Sequence, residues 1–188
     1  MVSMMNLGHT PVATWGLKFL HLSPDAKVLD CGCGGGANIK RLLKNCPQGI
    51  VEGIDYSEIS VEKARKLNQR AIRDGRCTVC QGSVAQMGFT DASFDVVTAF
   101  ETVYFWQDLP KCFQEVYRVL KPGGTFLICN ESNGDTNKDK KWTDIIGGMT
   151  IYKDTELKAY LEQAGFNDIQ IHKTKNWLCV TGRKHHQH

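Results

Sequence analysis

Residues 27–38 read KVLDCGCGGGAN, and this stretch decides the fold. Val28 and Leu29 end a short apolar run that is typical of a buried β-strand. Four of the five positions after Cys31 are glycine, and residues 39–44 then have the apolar spacing of an amphipathic helix. Glycine permits positive φ and lets a ligand lie against the backbone, while the first N–H groups of the helix stay free. The stretch therefore predicts a strand, a turn and a helix that cradle a nucleotide or nucleoside.

The length and composition fit one domain that works on small molecules. With 188 residues the chain is long enough to bury a substantial core. Its formal net charge of +3 is spread along the sequence, so we expect no polyanionic partner such as a nucleic acid. The charged run KDKK at residues 138–141 is interpreted as a solvated face.

The first ten residues and the eight cysteines bear on the compartment. Residues 1–10 do not resemble a signal peptide, and no apolar run approaches the roughly 20 residues that span a bilayer. We therefore expect a cytoplasmic protein with reduced thiols and no membrane partner. Cys77 and Cys80 form a C-x-x-C pair in a predicted strand, without a second pair at zinc-ribbon spacing. This pattern favours packing cysteines and predicts no metal site.

An acid follows the glycine turn at the distance expected of a residue that binds a ribose. Residues 49–55 are predicted to form the second strand, which ends on Asp55, nineteen residues beyond Gly36. A carboxylate at this point accepts hydrogen bonds from both ribose hydroxyls, and the expected spacing is ~20 residues. Gly32, Gly34 and Ala37 also fit the dinucleotide fingerprint G-x-G-x-x-G/A, so a nicotinamide cofactor stays open here.

Hydrophobic periodicity predicts the remaining elements. Only a few polar residues separate the last two predicted strands, so these strands form an antiparallel hairpin. Helices are expected over residues 11–22, 60–73, 109–120 and 154–164, strands over 77–82, 94–100, 125–130, 168–172 and 177–182, and a polar loop after 130.

Four segments resemble the class I S-adenosylmethionine-dependent methyltransferases, the class with a seven-stranded Rossmann-like sheet. Residues 29–36, LDCGCGGG, resemble the first motif of the family, L-D-x-G-x-G-x-G. Residues 118–124, RVLKPGG, and residues 94–97, FDVV, resemble two later elements. Residues 82–89 resemble the segment G-D-A-x-x-L-P-F, except that Ser83 replaces the acid that pairs with the adenine amino group.

The resemblance implies the fold class and the organisation of the domain. The expected fold is α/β, a doubly wound, mostly parallel seven-stranded sheet with a C-terminal antiparallel β-hairpin and helices on both faces. A single methyltransferase domain is expected over residues 1–188. Within it, residues 1–23 are an N-terminal helical segment over the cleft, 24–184 the Rossmann-like core and 185–188 a mobile tail.

The resemblance also implies the cofactor, S-adenosyl-L-methionine, and the residues that bind it. Asp55 is expected to bind the ribose, and the backbone of Val84 a nitrogen of the adenine ring. Ser83 can accept one hydrogen bond, without the charge-assisted contribution of an acid. The full set of expected cofactor-binding residues is Asp30, Gly32, Cys33, Gly34, Gly36, Asn38, Asp55, Tyr56, Gly82, Ser83, Val84 and Phe100.

The end of the fourth predicted strand is expected to hold the reacting groups, because ligands of open α/β sheets bind beyond the carboxyl ends of the strands. Glu101 and Tyr104 are the candidate catalytic residues, since carboxylates and aromatic faces stabilise a sulfonium. Glu101 is also a candidate general base. Trp15, Tyr104 and Trp106 are candidate substrate contacts. In the alternative interpretation Trp15 packs in the core, Trp106 packs against the next helix and Glu101 is an ordinary loop carboxylate.

The expected function is in-line transfer of a methyl group from S-adenosylmethionine to a small, partly hydrophobic acceptor, with S-adenosylhomocysteine as product. A small molecule is the expected partner because the segment available to cover it, residues 131–153, is short. Its apolar side chains would form the cover, and they are Trp142, Ile145, Ile146, Met149 and Tyr152. Two alternatives remain: a non-catalytic S-adenosylmethionine-binding protein and an NAD(P)-dependent oxidoreductase, which does not account for the RVLKPGG element. The sequence leaves open the acceptor atom and the oligomeric state.

Overall fold

The computed structural model describes residues 10–186. The strands are β1 Lys27–Cys31, β2 Ile50–Asp55, β3 Cys77–Gln81, β4 Phe94–Phe100, β5 Leu120–Asn130, β6 Asn167–Thr174 and β7 Trp177–Arg183. The helices are α1 Thr10–Leu17, α2 Ala37–Asn45, α3 Glu58–Leu67, α4 Gln69–Arg73, α5 Leu109–Val119, α6 Asn137–Ile145 and α7 Asp154–Ala164, with a short 3₁₀ helix at Val103–Phe105.

The seven strands form one sheet in the order β3-β2-β1-β4-β5-β7-β6. The first five strands run parallel to one another, and β7 is antiparallel to both β5 and β6. The predicted fold class is therefore confirmed, including the terminal hairpin. The strand order reverses between β1 and β4, and in open α/β sheets the ligand crevice lies at the carboxyl ends of the strands at such a point.

Alternate side chains of the strands build a hydrophobic layer on each face of the sheet. Leu29 and Cys31 face the layer that contains α5 and α7, whereas Val28 faces the layer that contains α2 and α3. Val12 and Ala13 of α1 pack on the second face, over the ends of β4, β5 and β7. Helices thus cover both faces, and the carboxyl ends of the strands stay between them.

Two predicted helices end earlier than their apolar spacing suggests. Helix α1 stops at Leu17, whereas the sequence predicted a helix to Leu22. The long helix predicted over residues 60–73 is broken at Asn68 into α3 and α4. The buried Asn68 side chain donates from Nδ2 to the carbonyl oxygen of Gly36 at 3.1 Å and to that of Ala64 at 3.0 Å. The break therefore ties the end of α3 to the glycine turn, a tertiary contact that periodicity does not report.

Helix α6 forms inside the segment that the sequence predicted as a polar loop. Its first turn is anchored by Asp139, whose Oδ2 accepts the N–H of Gly134 at 3.0 Å and that of Thr136 at 3.3 Å. Asp139 is 6% exposed, while the three lysines of residues 138–141 are exposed. The prediction of a solvated face is therefore correct for the lysines and wrong for Asp139.

The C-x-x-C cysteines pack in two different layers. Cys77 lies in the layer with α2 and α3, and Cys80 packs against the layer with α5 and α7. Two side chains three positions apart on a strand point to opposite faces, so the predicted packing role is confirmed. Burial raises the pKa of the Cys77 thiol to about 11. In the described part of the chain, no three His, Cys, Asp or Glu side chains gather as metal ligands.

The two ends of the domain are only partly described. Residues 1–9 and 187–188 lie outside the described range, and His185 Nδ1 lies 2.9 Å from Asn167 Nδ2. The division into an N-terminal segment over the cleft, a core and a mobile tail stays a prediction. Between residues 10 and 186, no helix combines the length and the apolar character needed to cross a membrane.

Candidate functional site

The glycine turn after β1 is held against the neighbouring strand by its backbone. The N–H groups of Gly32 and Cys33 both donate to the carbonyl oxygen of Ile54 in β2, at 2.8 and 3.1 Å. The N–H of Gly36 donates to the carbonyl oxygen of Cys33 at 3.0 Å and closes the turn. The turn is therefore rigid at both ends, and the predicted strand, turn and helix are confirmed.

Gly34 is the glycine whose missing side chain leaves open space. Its φ is +52°, a left-handed conformation that glycine adopts without a steric penalty, and a Cβ built there would meet no atom within 4 Å. A Cβ on Gly32 would collide with Thr102, and one on Gly36 would lie 2.8 Å from Ala64 Cα. Gly32 and Gly36 thus let the turn pack closely, whereas the bare backbone of Gly34 fits a ligand that lies against it.

Asp55 joins this turn to the end of β2. Its Oδ2 accepts the N–H of Gly34 at 2.9 Å, and its Oδ1 accepts the N–H of Ser57 at 2.9 Å. Each carboxylate oxygen keeps a further lone pair for a ribose hydroxyl. The carboxylate predicted to bind the ribose therefore lies at the turn, and it also orients the backbone of Gly34.

Asp30 lies beneath the turn and is 1% exposed. Its Oδ1 accepts a hydrogen bond from Thr98 Oγ1 of β4 at 2.7 Å. Burial raises the pKa of Asp30 to about 7, and the bond from Thr98 opposes this shift. In this position Asp30 supports the turn from within the sheet, and its predicted contact with the cofactor stays a prediction.

Replacement of Asp30 by asparagine should change how stability depends on pH. Because the pKa is raised from 3.8 to about 7 on folding, the wild-type free energy of unfolding falls as the pH rises through this window. The Asp30→Asn amide can still accept the Thr98 bond and does not ionise. We expect the variant to gain on the order of 2 kcal/mol over the wild type between about pH 5 and about pH 8. Urea unfolding at both pH values measures the free energy of unfolding of the two proteins. If the variant and the wild type differed by the same amount at both pH values, the pKa of Asp30 would not be raised on folding.

The end of β3 and the residue after Asp55 surround the place expected for adenine. Tyr56 is 77% exposed, which leaves its ring available as a stacking surface. Gly82 donates its N–H to the carbonyl oxygen of Asp55 at 3.0 Å, and Val84 is buried beside it. Ser83 is exposed, and its Oγ accepts the N–H of Ala85 at 3.2 Å. One lone pair of Ser83 Oγ is therefore already used, and the other lone pair and the O–H remain for a ligand.

The other expected cofactor residues present backbone more than side chain. Cys33 is 6% exposed and its thiol packs in the layer with α2 and α3, so only its backbone lies on the turn surface. The Phe100 ring is buried in the patch beneath α1. Asn38 Oδ1 accepts a hydrogen bond from Arg41 Nη1 at 2.6 Å, and the residue is half-buried.

Glu101 and Tyr104 form a hydrogen-bonded bridge between the ends of β4 and β5. The Tyr104 hydroxyl donates to Glu101 Oε1 at 3.2 Å and accepts the N–H of Ser132 at 3.0 Å. Glu101 Oε1 also accepts the N–H of Glu131. Burial, and then the charge of Glu101, raise the pKa of Tyr104 well above its usual range, so Tyr104 stays protonated. Tyr104 therefore orients the Glu101 carboxylate, and a direct role in chemistry stays a prediction for both.

Glu101 has a backbone conformation that side chains rarely adopt. Its φ is +54°, and its N–H donates to the carbonyl oxygen of Cys129 at 2.9 Å. Left-handed backbone at a residue other than glycine costs on the order of 1–3 kcal/mol and is concentrated at functional sites. The strain lies at the carboxyl end of β4, where the sequence placed the reacting groups.

The tryptophans expected to contact substrate pack against other rings. Trp106 Nε1 donates to Thr102 Oγ1 at 3.2 Å, and its ring stacks with Phe126 at 6.4 Å between centroids. Trp15 packs against Trp177 at 5.9 Å and is half-buried. Trp106 also packs against Phe113 of α5, with 6.3 Å between ring centroids. These contacts agree with the alternative interpretation, in which Trp15 is a core residue and Trp106 packs against the next helix.

Sequence reasoning missed several residues that shape this site. Thr98 bonds Asp30, Thr102 contacts both Gly32 and Trp106, and Asn68 bonds the turn. The strand pattern could have suggested Thr98, because a hydroxyl in an otherwise apolar central strand needs a buried partner. No local signal points to the contacts that Thr102 and Asn68 make with the turn, since Gly32 and Gly36 lie far from them in the sequence.

Comparison with known proteins agrees with this geometry. A family model described as a methyltransferase domain matches residues 29–128, which include the glycine turn, Asp55 and β4. Cycloartenol-C-24-methyltransferase of Arabidopsis thaliana is 32% identical over 159 residues, which are 80% of this chain and 47% of that protein. The chain therefore spans about half the length of the curated relatives it matches.

Solved structures show the same fold at low sequence identity. A chain of the complex between the Haloferax volcanii Trm112 methyltransferase activator and a methyltransferase has a TM-score of 0.86 and 22% identity, covering 98% of this chain and 94% of that one. Phosphoethanolamine N-methyltransferase 2 of Haemonchus contortus, solved with S-adenosyl-L-methionine, has a TM-score of 0.78 and 18% identity, covering 96% and 52%. The family model, the sheet order and the glycine turn with Asp55 lead to one conclusion. The chain belongs to the class I S-adenosylmethionine-dependent methyltransferases.

Proposed function

We propose that this enzyme methylates a small, hydrophobic acceptor that binds at the carboxyl ends of β4 and β5. The observation that carries the proposal is the pair formed by the open backbone of Gly34 and the carboxylate of Asp55. The nitrogen of Gly34 lies 2.9 Å from Asp55 Oδ2. This pair fits an adenosine whose ribose is bound by Asp55. The cofactor would then enter the cleft from the β1 side and leave the β4 and β5 side to the acceptor.

The segment 131–153, which is tied to Tyr104 through the N–H of Thr150, supports a hydrophobic acceptor. Ile146, Met149 and Tyr152, from the segment 131–153, are half-buried. The relative with 32% identity is named for a sterol-type substrate, cycloartenol, which is apolar over most of its surface.

The protein contributes mainly position and the exclusion of water. When bound, S-adenosylmethionine supplies an electrophilic methyl carbon on a positively charged sulfur. Asp55 and the Gly34 backbone would fix the adenosine, and the segment 131–153 would exclude water from the acceptor side. Alignment of this kind supplies on the order of 7–11 kcal/mol of barrier reduction.

Glu101 would hold negative charge beside the reacting groups and take up the proton that the acceptor loses. Its carboxylate is oriented by the Tyr104 hydroxyl, which remains a donor because its pKa is raised. If an oxygen or a nitrogen is methylated, the proton would leave that same atom. If a carbon is methylated, the proton would leave a carbon next to it, and in each case a Glu101 oxygen would take up the proton.

Methyl transfer can be tested directly with labelled S-adenosylmethionine and a small acceptor panel. We expect incorporation of label into hydrophobic acceptors such as cycloartenol, and little or none into the polar amine phosphoethanolamine. After the reaction is partitioned between organic solvent and water, mass spectrometry of the organic phase measures the hydrophobic product, and mass spectrometry of the aqueous phase measures the product of phosphoethanolamine. Preferential methylation of phosphoethanolamine would overturn the proposed acceptor class. Calorimetric titration with S-adenosylhomocysteine is the control that confirms an intact cofactor site in the same preparation.

A further inference from the structure

Asn130 is a buried polar residue that the chemistry above does not use. It is the last residue of β5, it is 0% exposed, and it is paired with Leu178 of β7. The neighbouring Cys129 faces α1, with its thiol 3.4 Å from the carbonyl oxygen of Val12. Strand alternation therefore turns Asn130 to the opposite face, which it shares with Ile128.

Neither polar atom of the Asn130 side chain has a hydrogen-bond partner. Across residues 10–186, the other unpaired buried side-chain atoms are Thr136 Oγ1 and Asn167 Oδ1. Asn133, three residues further on, shows the usual situation, because its Nδ2 donates to the carbonyl oxygen of Lys175 and its Oδ1 accepts the N–H of Asp135. A buried amide without partners is costly, and a ligand group that bonds both of its polar atoms would remove this cost.

The amide lies beside the proposed acceptor site. Phe100 is level with Cys129 in the pairing of β4 with β5, which places Asn130 level with Glu101. Tyr104 joins this region to the segment 131–153, because its hydroxyl accepts the N–H of Ser132 and its carbonyl oxygen accepts the N–H of Thr150 at 2.8 Å. Asn130 thus lies at the end of β5, directly before the segment 131–153 that would cover an acceptor.

We propose that Asn130 binds a hydroxyl group of the methyl acceptor in otherwise apolar surroundings. The amide offers a donor and an acceptor without net charge, so it satisfies a hydroxyl through both of its polar atoms and gives no advantage to an ammonium or a carboxylate. The side chains of Ile128 and Leu178 on the same face are fully buried and apolar. The acceptor class is therefore a hydrophobic alcohol, and this assignment rests on the proposed function.

Replacement of Asn130 by valine tests the assignment with a matched pair of probes, farnesol and its methyl ether. The two probes share one apolar skeleton, and the ether lacks the O–H donor. In calorimetric titrations of protein saturated with S-adenosylhomocysteine, we expect the wild type to bind farnesol about tenfold more tightly than the ether. Asn130→Val should bind the two probes equally. Equal binding by the wild type, or a preference that survives in the variant, would overturn the assignment.

Ile128→Val is the control, because it removes one methylene from the same face of the same strand. This control should keep the farnesol preference and lose a few degrees of Tm. Asn130→Val should keep or raise Tm, because the wild-type amide makes no hydrogen bond that the variant would lose. A fall in Tm larger than that of Ile128→Val would show that the amide makes a structural hydrogen bond, and it would refute the proposal. A farnesol preference without methylated product from any hydrophobic acceptor would contradict the proposed function alone. Product without that preference would contradict the role of Asn130 alone.

Discussion

Asp55→Ala is expected to weaken the binding of S-adenosylhomocysteine by about two to four orders of magnitude. The ligand would lose the two charge-assisted hydrogen bonds that its ribose hydroxyls donate to the Asp55 carboxylate. Each of these bonds contributes about 1.5–3 kcal/mol. The variant also removes the acceptor of the Gly34 N–H and of the Ser57 N–H, so the turn loses its orientation. Isothermal titration calorimetry of both proteins measures the affinity directly.

Asp95→Ala is the matched control for this variant. Asp95 also accepts with both oxygens, from the N–H of Lys27 at 2.8 Å and from Lys121 Nζ at 3.1 Å, but it lies at the amino end of β4. We expect Asp95→Ala to lower the free energy of unfolding and to leave cofactor affinity unchanged. If both variants lost affinity alike, or if Asp55→Ala bound normally, the ribose assignment would be wrong.

Gly34→Ala is expected to reduce cofactor affinity by about tenfold to a hundredfold. The added methyl group would meet no protein atom, so its main effect is to occupy space against which the ligand lies. Forcing a methyl group into such a contact costs about 1–3 kcal/mol. The left-handed φ of +52° adds a folding cost of about 1–2 kcal/mol for alanine.

Gly75→Ala separates the ligand effect from the backbone strain. Gly75 also has a left-handed φ, +72°, and a Cβ there would likewise meet no atom within 4 Å. Gly75 precedes β3, at the amino ends of the parallel strands, away from the cofactor turn. Both variants should lose similar stability in urea unfolding, and only Gly34→Ala should lose affinity for S-adenosylhomocysteine. Similar affinities for the two variants would mean that Gly34 does not face the cofactor.

The order and type of the elements were predictable because their signals are local. The run from Val28 through Gly36 places a strand, a turn and a helix in consecutive residues, and the spacing to Asp55 spans one helix and one strand. Apolar periodicity also located the other strands and most helices within a few residues, except that β5 begins at Leu120, five residues before its predicted start at Thr125. The exceptions are instructive: Asn68 ends α3 because its side chain bonds Gly36, and α6 forms around the buried carboxylate of Asp139.

The sequence by itself determined the sheet class, the glycine turn and the acid at the end of β2, since the patterns that predict them are local in the sequence. Only the tertiary structure decided what those residues touch. It gave Asp55 a second role at Gly34, bound the Tyr104 hydroxyl to Ser132, 28 residues away, and left the Asn130 amide unpaired at the end of β5. The physical reason is that hydrogen bonds between the ends of parallel strands join distant parts of the chain, and neither periodicity nor composition encodes which distant partner arrives.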